Sequence, residues 1–333
     1  MKAMVLEHVA GIETSPLAMR ELADPSPGAG QVRVKVRCCA MCRTDLHIIE
    51  GELPAHKMPV VPGHQIVGEV DRLGPGAHLL KVGQRVGVAW LRKTDGDCPY
   101  CLAGRENLCE AQKFTGYDAD GGYAQYAVVD EEFAYEIPQG FDDLQAAPLL
   151  CAGIVGYRAL KRANLPDGGS LAIYGFGSSA HIIAQIAMAR GCEIYVVTRG
   201  QNHRRLALEM GARWAGATAE GLPTLTDSAV IFAPAGELVP AALEHLRKGG
   251  TLSLADIYMT PVPAMDYQKH LFFERDIRSV TANTRADGRE LLAEAAKINL
   301  RPKTTTYPLA DVNRALQDLK ADKLSGTGVI VID

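Results

Sequence analysis

The chain has 333 residues, of which 47% are hydrophobic and 22% charged, with a formal net charge of −4 and a pI near 6.2. This length predicts two domains, because one hydrophobic core seldom grows beyond about 250–300 residues. The weak negative charge gives no reason to expect nucleic acid or an anionic membrane as a partner. The first residues lack the pattern of a signal peptide, and no apolar run of about 18 residues occurs, so we expect a cytoplasmic protein without a membrane span. Eight cysteines in that reducing compartment favour metal or redox chemistry over disulfides.

Short β-segments separated by Gly, Pro and Asp clusters fill residues 1–150. They read KAMVLE, QVRVKVRCCA, IVGEVDRLG, QRVGVAW and YAQYAVVD. From SLAIY onwards strands alternate with amphipathic helices, such as HIIAQIAMARG, NHRRLALEMGA and ELVPAALEHLRKGG, and the chain ends with the helix ADVNRALQDLKAD and the strand TGVIVI. We therefore predict an α/β protein in which a β-rich domain precedes a parallel sheet covered by helices on both faces.

A glycine-rich turn lies directly after the strand SLAIY and directly before a helix. Its pattern is G-x-G-x-x-A, in which the first glycine makes the turn, the second admits a pyrophosphate and the small third residue lets helix and strand pack. The pattern predicts a dinucleotide on the helix N-terminus, and a plain structural turn is the alternative. The predicted contacts are Gly175, Phe176, Gly177, Ser178, Ser179 and Ala180.

The end of the next strand, CEIYVVTR, indicates which dinucleotide is preferred. An acidic residue there would bind the ribose 2′-hydroxyl of NAD, but this chain has Thr198 and Arg199, followed by Arg204 and Arg205. Guanidinium groups attract a 2′-phosphate, so NADP(H) is favoured, with NAD(H) as the alternative. We expect Arg205 to belong to the solvated face of the following helix.

Cysteine and histidine residues concentrate in the stretches CCAMCRTDLH, VPGHQIVGE, DGDCPYCLAGRENLC and LLCAG. Taken singly, such residues are more often buried filler than metal ligands. Taken together beside a dinucleotide-binding pattern, they favour metal sites.

These stretches, together with GGYAQYAVV, YGFGSSA and NTRADGRE, resemble the zinc-dependent alcohol dehydrogenases of the medium-chain dehydrogenase/reductase family over the whole length. The resemblance implies a GroES-like catalytic domain (1–150) with a structural-zinc lobe at about 90–112, a Rossmann domain (151–285) and a C-terminal return to the catalytic domain (286–333). It also implies a catalytic zinc held by Cys42, His64 and Cys151, with one coordination position open. Cys38 and Cys39 have no counterpart among the family's ligands, so we assign them to strand packing.

The family's structural zinc takes four cysteines in C-x2-C-x2-C-x7-C, and here the first of them is replaced by Asp95. Carboxylate oxygen is a legitimate zinc ligand, so we predict that Asp95 joins Cys98, Cys101 and Cys109. The alternative is a partly occupied or empty lobe with three reduced thiols. A second departure is Gln65, where the family has Glu next to the ligand His, and we expect it to alter ligand exchange at the catalytic metal without abolishing activity.

The resemblance also implies roles around the catalytic metal. Thr44 would bond the alcohol oxygen and pass its proton through the nicotinamide ribose to His47 at the surface. Asp45 would fix the tautomer of His64, with a turn-capping Asp as the alternative. Arg285 matches the family arginine that reaches the cofactor phosphates, while Leu53 and Trp90 fall at positions that line the substrate pocket.

The resulting prediction is reversible oxidation of a primary, possibly secondary, alcohol with hydride transfer to NAD(P)⁺. A zinc-free quinone or enone reductase on the same fold and a non-catalytic nucleotide-binding protein are the alternatives. Relatives are dimers or tetramers that pair through the last strands of the Rossmann sheet, so a homodimer or homotetramer acting on a small molecule is expected.

Overall fold

The computed structural model describes residues 1–324 and 326–333. Short strands dominate up to residue 151, as the Gly- and Pro-punctuated pattern predicts. The strands are β1 (Lys2–Leu6), β2 (Leu17–Glu21), β3 (Gln31–Ala40), β4 (Gln65–Leu73), β5 (Arg85–Val88), β6 (Leu91–Lys93), β7 (Lys113–Phe114), β8 (Tyr126–Asp130) and β9 (Ala134–Glu136). The helices in this part are α1 (Arg43–Ile49), α2 (Pro99–Leu102) and α3 (Asp143–Ala146), with 3₁₀ turns at Glu106–Leu108 and Ala147–Leu150 among others.

The middle of the chain alternates helix and strand. Its helices are α4 (Ala152–Arg162), α5 (Ser178–Ala189), α6 (Gln201–Glu209), α7 (Leu238–Glu244) and α8 (Tyr267–His270). Its strands are β10 (Ser170–Tyr174), β11 (Glu193–Val197), β12 (Trp214–Gly216), β13 (Thr226–Ile231), β14 (Leu246–Leu254) and β15 (Asp276–Ser279). The last part adds α9 (Arg285–Lys297), β16 (Thr304–Pro308), α10 (Val312–Lys320) and β17 (Thr327–Val331).

The chain divides into two compact units. The first contains Met1–Cys151, Ala282–Ala296 and Arg301–Asp333, and the second contains Ala152–Thr281 and Lys297–Leu300. The sequence-based prediction has domain boundaries at 150/151 and 285/286. In the structure the chain leaves the second unit after Thr281, and residues 297–300, predicted to belong to the C-terminal part, pack with the second unit.

The main sheet of the first unit has the order β16-β17-β3-β4-β5-β9, and β8 also pairs with β3. Most pairs are antiparallel, and the alternating inward residues of β3 and β4, such as Val32, Val34 and Val70, are fully buried in the core. The small antiparallel pair β6-β7 encloses the segment that contains three of the cysteines. This unit therefore carries every predicted metal ligand.

The sheet of the second unit is six-stranded and parallel, in the order β12-β11-β10-β13-β14-β15. This is the 3-2-1-4-5-6 arrangement of the Rossmann fold, so the predicted fold class is confirmed. One predicted helix is shorter than its pattern suggested: α7 ends at Glu244, and the segment LRKGG begins β14, with Gly249 at a φ of +75°. None of the helices in the described residues is both long and apolar enough to cross a bilayer.

Candidate metal centres and dinucleotide site

The first unit brings Cys42, His64 and Cys151 together. One ligand atom from each lies within 4.8 Å of the other two, and Cys42 Sγ is 3.4 Å from His64 Nε2. Two thiolates and an imidazole nitrogen around a tetrahedral zinc would be about 3.6 Å apart, given bond lengths of about 2.0–2.3 Å. The donor set and the spacing therefore fit zinc.

Three separate backbone features position these ligands. Cys42 is the N-cap of α1 and has an extended backbone (φ −145°, ψ −178°). His64 directly precedes β4 and is fully buried, and Cys151 directly follows the 3₁₀ turn at Ala147–Leu150. Because each ligand lies at the end of an ordered element, the group is held by packing on several sides.

Asp45 serves both of the roles considered from the sequence. Its Oδ2 accepts a hydrogen bond from the Cys42 backbone N–H at 2.9 Å, which caps α1, and its Oδ1 lies 3.1 Å from His64 Nδ1. The carboxylate is fully buried. It therefore orients the imidazole so that Nε2 faces the two thiols, the arrangement by which carboxylates commonly support a histidine ligand.

Protons are shared unevenly among Cys42, His64 and Cys151. A hydrogen bond from Cys151 and the charge of His64 hold the pKa of Cys42 well below its usual range, whereas the same bond and burial raise the pKa of Cys151 well above it. Burial lowers the pKa of His64, but the negative charges of Asp45 and Cys42 outweigh it and raise that pKa to about 10. Zinc binding at neutral pH must therefore release protons from this group.

Thr44 and His47, the predicted relay, both lie on α1, and each is partly exposed. The Thr44 hydroxyl is close enough to Cys42 to donate a hydrogen bond that stabilises the thiolate. The His47 ring Nδ1 pairs with the carboxylate of Glu52, a partner that sequence reasoning missed. The only sequence signal for this partner was the second glutamate of HIIEGE, which lies five residues after the histidine.

The second predicted metal group also assembles. Asp95, Cys98, Cys101 and Cys109 bring four ligand atoms within 4.8 Å of one another. Asp95 Oδ1 accepts hydrogen bonds from the backbone N–H groups of Asp97 (3.2 Å) and Cys98 (3.1 Å), and the bond from Cys98 is the largest cause of the lowered pKa of Asp95. Partial burial raises the pKa of Cys101 to about 11. Because the pKa of Asp95 is lowered, an ionised carboxylate oxygen occupies the position at which the family has a fourth cysteine sulfur.

Of the two predicted pocket residues, Trp90 contacts His64, and Leu53 is bonded to His47. The Leu53 N–H donates to the His47 carbonyl at 3.1 Å. Trp90 is only 7% exposed, and its ring lies edge-on to the His64 ring, with centroids 5.0 Å apart. Little of the Trp90 ring is therefore open to a ligand, and its contact with the predicted metal ligand His64 is the more prominent feature.

Gln65 is fully buried at the start of β4, and neither of its side-chain amide atoms has a hydrogen-bond partner among the described residues. Cys38 and Cys39 are buried in β3, and burial raises the pKa of both thiols, to about 12 for Cys38. This agrees with the packing role predicted for the two cysteines.

In the second unit, the turn after β10 has the geometry that its glycines predict. Gly175 adopts a φ of +87°, which disfavours a side chain. A Cβ at Gly177, the N-cap of α5, would have no atom within 4 Å, so the missing side chain leaves open space at the helix N-terminus. Ala180 is fully buried, while Phe176 is buried and Ser178 and Ser179 are partly exposed. The turn therefore leaves, at a helix N-terminus, the space that a pyrophosphate requires.

The arginines at the end of β11 differ in their environments. Arg199 is exposed and directly follows buried Thr198. Arg204 Nη1 donates to the carbonyls of Thr198 (2.9 Å) and Arg199 (2.6 Å), so it stiffens this turn. Arg205 is exposed and forms an i,i+4 ion pair with Glu209, as expected for a solvated helix face.

Arg285, predicted to reach the cofactor phosphates, is bound within the first unit. Its backbone N–H, Nε and Nη2 all donate to Glu106, with Nη2 at 2.7 Å from Oε2, and Nη1 is 3.3 Å from Glu132. The guanidinium also lies 4.5 Å above the Phe133 ring. Glu106 lies between Cys101 and Cys109, so this ion pair fastens the lobe to the first turn of α9.

The Rossmann sheet and the two candidate thiolate-rich metal centres are the features of a metal-dependent dehydrogenase. Residues 28–139 match the alcohol dehydrogenase GroES-like domain, and residues 180–297 match the zinc-binding dehydrogenase domain. A probable alcohol dehydrogenase, AdhA, of Mycobacterium tuberculosis is 48% identical over 100% of this chain and 97% of its own length.

Two solved structures of dehydrogenases or reductases are also similar to this chain. A cobalt- and zinc-bound thermostable alcohol dehydrogenase from Pyrobaculum aerophilum has a TM-score of 0.88 at 26% identity, covering 99% of both chains. Acetophenone reductase from Geotrichum candidum, in complex with NAD, has a TM-score of 0.88 at 25% identity, covering 99% of this chain and 96% of its own. The chain belongs to the zinc-dependent alcohol dehydrogenases of the medium-chain dehydrogenase/reductase family.

Proposed function

We propose that the protein catalyses the reversible oxidation of a primary or secondary alcohol to an aldehyde or ketone, with zinc at Cys42, His64 and Cys151. The observation that carries this proposal is the convergence of two sulfurs and one imidazole nitrogen within 4.8 Å. When bound, zinc would supply a Lewis acid that makes proton loss from an alcohol feasible near neutral pH, and the nicotinamide would accept the hydride.

Two side chains on α1 would take part in the proton transfer. The Thr44 hydroxyl can donate and accept at once, and it lies beside Cys42, so it can take a proton from an alcohol oxygen held at this group. His47 lies one helical turn further along α1, is partly exposed, and can pass the proton to solvent. The carboxylate of Glu52 orients the His47 ring.

We propose NADP(H) as the preferred cofactor, with Arg199 as the principal contact to the 2′-phosphate. The support is chemical: the end of β11 carries exposed Arg199 and no carboxylate, whereas Arg204 is bonded to backbone carbonyls. The phosphate contact of Arg285 stays a prediction, and it would require exchange of the Glu106 and Glu132 carboxylates for phosphate.

We also propose a cytoplasmic homodimer or homotetramer. The support for assembly is that β15 is the edge strand of the Rossmann sheet and carries exposed Ile277, while Phe272 and Phe273 nearby are also exposed. Light scattering coupled to gel filtration tests this proposal, and a mass of one chain at micromolar concentration would refute it.

The catalytic proposal is tested with zinc-loaded protein, aliphatic and aromatic alcohols and aldehydes, and both NADP(H) and NAD(H). We expect zinc-dependent turnover of alcohols, faster with NADP(H), and a loss of the NADP(H) preference in Arg199→Ala. Activity on quinones or enones after complete zinc removal would instead support the zinc-free reductase. Preference for NADH by tenfold or more would refute the role of Arg199.

A further inference from the structure

The turn at residues 114–121, here called the aromatic turn, lies against the backbone that precedes the ligand His64. Gly121 N–H donates to the Val61 carbonyl at 2.7 Å, and a Cβ at Gly121 would lie only 2.0 Å from the Gly63 carbonyl oxygen. Gly116 has a φ of +74°, and a Cβ there would lie 2.9 Å from Gly63 N. Backbone therefore packs directly on backbone, and the turn is fixed relative to the metal ligand.

The same turn fastens the segment at residues 53–59, which begins with the predicted pocket residue Leu53. The Tyr117 hydroxyl donates a hydrogen bond to the Pro54 carbonyl. Asp118 Oδ1 lies 3.0 Å from His56 Nδ1, and Asp120 Oδ1 lies 2.6 Å from the Lys57 ammonium. The first of these bonds is adjacent to Leu53, and the others lie further along the segment.

Leu53 is also held from the other side. Its N–H donates to the His47 carbonyl, and the preceding Glu52 pairs with the His47 ring. The Leu53 side chain is partly buried against the core of the first unit. Leu53 thus lies between two anchors, the His47 end of α1 and the Tyr117–Pro54 hydrogen bond.

Tyr117 connects this segment to the metal ligand through stacked rings. Its ring lies 4.3 Å from that of His56 and 5.8 Å from that of Trp90, nearly parallel to the latter at 26°. Trp90 stacks in turn on Phe114 at 4.6 Å and contacts His64 edge-on. Tyr117 itself is 6% exposed, so its hydrogen bond is largely shielded from water.

We infer that Tyr117 is a specificity-determining positioning residue: its bond to Pro54 and its stacking on Trp90 set the place of Leu53 relative to His64, and with it the width of the alcohol site. The inference rests on the proposed function. Tyr117 acts through Leu53 and takes no part in the proton path, so its loss should change which alcohols bind well and leave the chemical step largely intact.

The test is Tyr117→Phe, which removes the hydroxyl and keeps the ring stack. We expect KM for the preferred alcohol to rise about 3–10-fold, the usual effect of one lost hydrogen bond, with kcat within about twofold. The ratio of kcat/KM values for benzyl alcohol and ethanol should change, while cofactor KM and zinc content stay constant. Tyr307→Phe is the matched control, because it removes a hydroxyl bonded to Asp318 in the same unit, and it should alter none of these values.

A double-mutant cycle separates positioning from direct contact. Leu53→Ala alone should change the benzyl alcohol to ethanol ratio, and adding Tyr117→Phe should then have little further effect, because the side chain that it positions is gone. Additive effects of the two substitutions, or an unchanged ratio in Tyr117→Phe, would overturn the inference.

Amide hydrogen exchange provides a readout that needs no activity. Tyr117→Phe should speed exchange in the segment 53–59 by about tenfold, and Tyr307→Phe should not. If the zinc-loaded wild type turns over no alcohol or aldehyde, the proposed function fails, while the exchange rates still decide whether Tyr117 fastens this segment. Unchanged exchange would overturn the inference even in an active enzyme.

Discussion

Replacing Asp45 by Asn should lower the zinc affinity of the Cys42–His64–Cys151 site and leave the shape of the site largely unchanged. The carboxylate accepts from the Cys42 backbone N–H at 2.9 Å and faces His64 Nδ1 at 3.1 Å. An amide of the same size can keep only one of these acceptor contacts, because its NH₂ group must face the other donor. A buried donor left unsatisfied costs about 1–3 kcal/mol, and loss of such support for a ligand lowers metal affinity about 10–100-fold.

Competition with a chromophoric chelator at pH 7 measures this change, and zinc in the lobe at residues 95–109 serves as an internal reference. Asp71→Asn is the matched control, because Asp71 is a partly buried aspartate that pairs with Arg33 at 2.6 Å, in the same unit. We expect one zinc per chain to be released more easily in Asp45→Asn and no change in the control. Unchanged affinity, or equal weakening of both zinc ions, would refute the assignment of Asp45 as the support of His64.

Three further substitutions test other parts of the structure. Asp95→Cys should raise the zinc affinity of the lobe, because it supplies the fourth thiolate, and a lower affinity in chelator competition would contradict the four-ligand assignment. Gly177→Ala should leave the melting temperature unchanged but raise the cofactor KM at least about tenfold, since its Cβ would enter the space open to a pyrophosphate; equal KM values would contradict this. Burial alone would raise the pKa of Glu106, but its bonds to Arg285 outweigh burial and hold that pKa below its unfolded value. The ion pair therefore stabilises the fold above the unfolded pKa of about 4.3, and this stabilisation is lost as pH falls through the folded pKa. Glu106→Gln should therefore reduce the free energy of unfolding in urea by about 1–3 kcal/mol at pH 7 and by less near pH 4, and a constant difference would argue against the ion pair.

The fold class followed from the sequence because its evidence is local. The change from Gly- and Pro-punctuated β-segments to alternating strands and helices predicts the two kinds of domain, and the comparisons confirm the family. Strand order is a different matter, because it depends on long-range pairing. Nothing in the sequence of β17 predicts that it lies beside β3, about 290 residues earlier in the chain, or that Lys297–Leu300 packs with the second unit.

The candidate site likewise has residues that the sequence predicts and partners that it does not. The clustering of cysteine and histidine residues indicates metal sites, and the resemblance to the family nominates Cys42, His64 and Cys151 as ligands. Partners drawn from ordinary acids and tyrosines are not distinctive. Glu106 contacts Arg285 across 179 residues, and Tyr117 contacts Pro54 across 63 residues. The chain has many acids and tyrosines, so only the fold shows which of them form these contacts.

The central claim is that Cys42, His64 and Cys151 share one catalytic metal, and zinc counting on single-cysteine variants tests it most directly. Wild type should bind two zinc ions per chain, Cys151→Ser should lose one together with alcohol oxidation, and Cys101→Ser should lose the other and retain turnover at moderate temperature. A Cys151→Ser protein that kept both zinc ions and full activity would contradict the account.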